Sequence, residues 1–308
     1  LVAGAAVAAA PVIGREVVMP DTKGDIGSNG AFLGETGLWR VTSSEPVKSL
    51  GLRVSLHGEF FYMNDFLFVG DTTQRQSADI AMSFVPGDNL EFSLLYQTVS
   101  THNTVTVPQL QLSQGNISVG AKYAYPFTKA FSAGAMVAFG LNSEPGKSMY
   151  SIGATSYTLR ALATLDTREL GSKVPLRLHA NLGGYLIPSD QFGPVALKPH
   201  EHYTLNINER NQGQFGFGID FPLMKDDILP FVEVHLGYPD GPGYVTPGVK
   251  WQPFDGHGLT FDLYCDVGIF RGTPALAPTT NVYNLIFGAS YAIATKPRVT
   301  VIKEKVLE

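Results

Sequence analysis

The sequence is short of charge, nearly free of cysteine and without long apolar runs, and each shortage closes off a class of protein. Asp, Glu, Lys and Arg make up only 16% of its 308 residues, against about 25% in an average soluble domain. The lone Cys265 excludes an internal disulfide framework and any cysteine-rich zinc site, and its ordinary role is that of a small apolar side chain on a strand. No stretch reaches the roughly 18 uninterrupted apolar residues of a transmembrane helix, although 44% of the chain is hydrophobic and the mean hydropathy is +0.06. There is no excess of basic residues either. With a net charge of −5 the chain has no face for neutralising phosphates, so nucleic acid is excluded as a partner. Lipase-type Gly-x-Ser-x-Gly, phosphate-binding Gly loops and Cys-x-x-Cys are all missing. No catalytic residue, metal site or cofactor is assigned, and a non-enzymatic role is expected.

What is present is a repeated alternation. Leu52, Val54, Leu56, Gly58, Phe60 and Tyr62 share one parity while Arg53, Ser55, His57 and Glu59 share the other, the pattern of a strand between two media. Eleven more candidates follow at about 74–85, 90–100, 115–125, 129–141, 153–166, 174–187, 213–223, 228–238, 244–252, 258–268 and 280–293. Links alternate too: 86–89, 126–128, 167–173, 222–227 and 253–258 are short or turn-like, whereas 63–73, 101–114, 142–152, 188–212, 239–243 and 269–279 are mostly longer. The fold class is therefore all-β: a closed antiparallel transmembrane barrel of about twelve strands, with periplasmic N and C termini, in a bacterial outer membrane. Outer-membrane lipid and lipopolysaccharide are the expected surroundings. Aromatic belts are expected from Tyr123, Tyr125, Phe127, Trp251, Phe254 and Tyr291 at the turn end and from Tyr62, Phe139, Tyr157, Tyr238 and Tyr244 at the loop end.

Charge parity sharpens this reading, because Lys or Arg on the lipid face near the midplane costs roughly 2–4 kcal/mol. Arg53, Glu59, Asp79, Glu91, Lys122, Arg160, Arg177, Asp220, Glu233, Lys250, Asp262 and Asp266 form the predicted lumen charge network, with Asp166 on the same side of its strand. Two readings stay open. Paired charges would fill a narrow lumen, or an excess of acids would line a cation-favouring pore. Residues 11–50 are irregular, and Trp39 with Arg40 is the candidate lumen plug. His200-Glu201-His202 has neither zincin nor finger spacing and is expected to be a solvated loop.

Domain organisation follows: 1–50 a signal-peptide remnant and irregular segment, 51–293 the barrel, 294–308 the start of a linker. The remnant is read from the Ala-rich LVAGAAVAAA before Pro11.

Two stretches carry a resemblance. Thr36-Gly-Leu-Trp-Arg-Val-Thr-Ser-Ser-Glu-Pro, running into Leu50-Gly-Leu-Arg-Val-Ser-Leu-His-Gly-Glu-Phe-Phe, resembles the lead-in to the N-terminal barrel of large OmpA-like outer-membrane proteins of Gram-negative bacteria. Pro297-Arg-Val-Thr-Val-Ile-Lys-Glu-Lys-Val-Leu-Glu308 resembles the strand leading from such a barrel into a peptidoglycan-binding domain. The resemblance implies a structural anchor that tethers the outer membrane to peptidoglycan through a domain beyond Glu308, where an Asp and an Arg would hold cell-wall diaminopimelate. It also implies other envelope proteins as partners. The best-known members have eight strands, not twelve, and no functional residue is transferred. The alternative on the same fold is a narrow channel for small polar solutes or ions.

Overall fold

In the computed structural model, the described residues are 30–47, 51–87, 89–143, 152–187, 199–205, 211–224, 227–239, 241–254, 258–270 and 281–294. The signal-like residues 1–10 and the linker at 295–308 lie outside them. Twelve strands close into one barrel, each antiparallel to its sequence neighbour, with β1 sealing against β12. They are β1 (Gly51–Asn64), β2 (Thr72–Gly87), β3 (Leu90–Asn103), β4 (Leu110–Pro126), β5 (Phe131–Ser143) and β6 (Ile152–Asp166). The circuit continues through β7 (Arg177–Leu186), β8 (Gln212–Asp220), β9 (Ile228–Tyr238), β10 (Gly243–Trp251), β11 (Leu259–Phe270) and β12 (Tyr283–Ala294). Closure leaves no unpaired edge, the condition for a sheet that faces hydrocarbon.

The period-two pattern decides which face each side chain takes. At mid-strand, Leu159 is 61% exposed on the outer surface and Leu182 is 67% exposed. Arg53, Lys122 and Lys250 point inward and are almost wholly buried. Apolar-out with charged-in inverts a soluble barrel and suits a lipid exterior.

Several strands depart from their predicted bounds, and β4 departs most. Residues 110–114 were expected in a loop, but they pair with β3, and the register shifts between Gln97 and Thr98. Gly115 supplies the left-handed φ of 88° next to that irregularity. The bulge breaks the alternation, hiding the first turn of the strand from a period-two reading. β7 starts at Arg177 and β8 stops at Asp220, because Pro175 and Pro222 flank these ends and cannot donate to a ladder. Tyr244 is no belt residue: it shares parity with Thr246 and Lys250, both buried inside, and faces the lumen.

His200-Glu201-His202 is not a solvated loop. It belongs to the helix α1 (Pro199–Leu205), with His200, Tyr203 and Thr204 buried. Tyr203 packs with Phe61 and Phe66, its hydroxyl donates to Asn281 Oδ1 at 2.6 Å, and Thr204 donates to Gln111 Oε1 at 2.9 Å. Helix α1, within the long link between β7 and β8, thus packs against the loop end of the barrel.

Candidate functional site

Residues 30–47 occupy the lumen. Their two small antiparallel bridges, Gly30 with Thr36 and Gly37 with Thr42, fold the segment back on itself. At the short-turn end Val47 packs on Val85 and Ala292. Leu38, Trp39 and Val41 form an apolar cluster with the wall residues Phe231, Tyr264 and Ile286. The Trp39 ring stands edge-on to His57, with centroids 5.0 Å apart. These apolar contacts set where the plug sits; its backbone polar groups still need partners, and charged wall side chains supply them.

Glu233 accepts from three successive backbone N–H groups: Trp39 at 3.2 Å, Arg40 at 2.8 Å and Val41 at 3.0 Å. Lys250 complements it, its Nζ donating to the carbonyls of Gly30 at 2.8 Å, Gly37 at 2.9 Å and Leu38 at 3.2 Å. One buried acid and one buried base therefore serve as caps for an irregular backbone. Hydrogen bonds to charged groups contribute about 1.5–3 kcal/mol each.

The remaining network residues fall into local pairs. Glu91 holds Arg53 at 3.0 Å and Lys122 at 2.6 Å, and it also accepts from Thr36 N–H at 3.1 Å. Arg53 in turn donates to the carbonyl of Gly34. Arg177 grips Asp220 and reaches Glu45 of the plug at 3.0 Å, while His179 Nε2 lies 2.9 Å from Asp220. Arg40 pairs with Asp266 and lies over the Tyr244 ring at 4.5 Å. Glu59 pairs with Arg75 at 3.2 Å, and Asp262 with His57 at 3.2 Å. Asp79 is buried opposite His57 in the β1–β2 register. Arg160 donates to Gln214 and to the carbonyl of Arg40. Asp166 stands apart from the network: it caps the turn after β6 and binds Arg168 at 2.6 Å.

Some members were not foreseen. Arg75 had a usable signal, since it shares parity with Asp79 on β2. Glu35 and Glu45 had none, because their segment has no period.

Between the plug and the β3–β10 wall lies a cavity of about 190 Å³. Of the charged side chains facing it, Glu35 and Arg40 come from the plug and Arg160 from β6, beside His235 from β9. Burial raises the pKa of the Glu35 carboxyl, nearby Glu91 raises it further, and the hydrogen bond from Ser93 at 2.6 Å only partly offsets this. Among the described residues no group of three or more metal-ligating side chains is assembled.

No family model matches the chain, and no curated protein matches it. Solved structures do. An outer membrane channel from Pseudomonas putida F1 superposes with a TM-score of 0.54 at 9% identity, over 80% of this chain and 96% of that one. A KdgM porin matches with a TM-score of 0.40 at 14% identity, over 78% of this chain and 98% of that one. The translocator domain of the autotransporter NalP from Neisseria meningitidis gives 0.46 at 12% identity, over 78% of this chain and 88% of that one. At such identities the likeness concerns shape alone, and the shape is that of a twelve-stranded outer-membrane β-barrel.

Proposed function

We propose that this chain is a narrow, non-enzymatic channel of the Gram-negative outer membrane, closed by its own N-terminal segment and passing small polar solutes or ions. The observation that carries the reading is how the lumen is filled. A separate segment, residues 30–47, sits between the wall side chains and is held largely by side-chain hydrogen bonds. Each such contact can be exchanged for water, at a net cost of about 0.5–1.5 kcal/mol between neutral groups and about 1.5–3 kcal/mol where one partner is charged. Docking also leaves the buried Trp39 Nε1–H without a protein acceptor, which costs about 1–3 kcal/mol and keeps the closed state from being too deep. The Pseudomonas putida structure of similar shape is itself an outer membrane channel. Outer-membrane lipid and lipopolysaccharide would cover the apolar exterior.

The tethering role implied by the OmpA-like resemblance has less support. It depends on residues 297–308, outside the described residues, and on a peptidoglycan-binding domain and envelope partners beyond the barrel. Planar-bilayer recording separates the readings. The full chain should show low, flickering conductance, and a variant lacking residues 30–47 a steady current. A folded deletion variant that passes no current would overturn the channel reading.

A further inference from the structure

We infer that the lumen cavity is a binding site for a small hydroxylated carboxylate, held by Arg160 and His235. The inference deepens the channel reading by naming the solute class, and its biological purpose rests on that reading.

Counting charges along the strands suggests a cation site, because acids outnumber bases. The arrangement around the cavity points the other way. Glu233 is engaged by three backbone N–H groups, and Asp266 by Arg40 and the Thr246 hydroxyl. Neither carboxylate is available to a cation. Among the described residues Glu35 is the one carboxyl lining the cavity; its Oε1 accepts from Ser93 on β3, and its Oε2 is buried without a partner.

Arg160, by contrast, has no carboxylate within ion-pair distance among the described residues. Three of its five N–H groups go to neutral oxygens, those of Gln214 and the Arg40 carbonyl. A guanidinium in this setting keeps two donors for a ligand carboxylate. Beside it, both ring nitrogens of His235 are buried without a partner, although the residue lines the cavity. The side-chain nitrogen of Gln212 is likewise unpartnered. Imidazole and amide groups satisfy hydroxyls as readily as carboxylates. The volume of about 190 Å³ is far above what a single water needs and leaves room for one sugar acid.

The test is titration calorimetry of the full-length, detergent-purified barrel with gluconate, and with glucose as the uncharged match. Gluconate should bind at least tenfold more tightly than glucose. Arg160→Gln should abolish that preference, Arg160→Lys should keep most of it, and Arg168→Gln, at the turn after β6, should leave it unchanged. Heat-modifiable gel mobility reports that each variant is folded; if Arg160→Gln is not, His235→Leu replaces it, with the same loss of gluconate affinity expected. Equal affinities for gluconate and glucose, or a folded Arg160→Gln barrel that binds gluconate within twofold of wild type, would overturn the assignment. Binding without current through the plug-deleted barrel would remove the channel reading alone, whereas current without gluconate binding would remove this inference alone.

Discussion

Replacing Glu233 by Gln changes one atom and tests the main support of the plug. The two carboxylate oxygens divide three backbone donors, Oε1 taking Arg40 N–H and Oε2 taking Trp39 and Val41 N–H. A glutamine keeps one oxygen. Aimed at Trp39 and Val41, it turns its own NH₂ toward the Arg40 N–H, donor against donor. One charge-assisted bond, about 1.5–3 kcal/mol, is then lost outright, and the two survivors weaken to ordinary values of about 0.5–1.5 kcal/mol each. These losses sum to about 3.5–6 kcal/mol, and the smaller cost of burying a neutral amide than a carboxylate offsets part of them; a net loss of about 3 kcal/mol changes the docked-to-undocked ratio roughly 150-fold, at 1.4 kcal/mol per factor of ten. Amide hydrogen exchange reads this directly, and the informative amides are those that do not touch Glu233. Thr42 N–H donates to Asn181 at 2.8 Å and Ser44 N–H to Thr164 at 2.9 Å. If residues 30–47 undock as a unit, both should exchange about 100-fold faster in Glu233→Gln, in step with Val41. Acceleration confined to Trp39, Arg40 and Val41, with Thr42 and Ser44 within threefold of wild type, would refute a cooperative plug.

Two further outcomes are expected. Leu159→Arg, at mid-height on the outer face of β6, should destabilise the barrel by about 2–4 kcal/mol in urea titrations in lipid vesicles, whereas the neighbouring inward Thr158→Arg should cost much less; equal costs would contradict the lipid-facing assignment. Burial opposes ionisation of the loop residue Asp71, but hydrogen bonds from Phe66 N–H, the Thr73 hydroxyl, Asn103 and Leu67 N–H outweigh it and hold its pKa below the ordinary value of 3.8. A depressed carboxylate stabilises above the unfolded-state pKa and stops doing so as pH falls through the folded one. The 65–71 loop should therefore stay ordered at pH 3.8 and loosen only in stronger acid, seen as collapse of the Phe66 and Leu67 amide shifts; loosening centred at or above pH 3.8 would contradict this.

Much of the barrel was legible in the sequence because lipid and lumen impose opposite demands on adjacent residues, so β1 or β8 can be read from parity alone. Reading failed where parity is interrupted. The Gly115 bulge conceals residues 110–114 of β4, and Tyr244 stands at a strand end as a belt residue would although it shares parity with Lys250. Nor does periodicity say which charges meet: Glu233 and Lys250 both read as members of an ion-pair network, yet each is engaged by backbone of a segment that has no period at all.

The one-dimensional order of residues thus settled the number of strands and, where the alternation is unbroken, their inner and outer faces, since these follow from local alternation and turn chemistry. Which partner each inward charge finds, how residues 30–47 fill the lumen, and the cavity left beside Arg160 and His235 were decided only when closure brought positions as distant as Arg40 and Asp266 together. Such contacts depend on the curvature and register of the whole cylinder, which no local window of sequence contains.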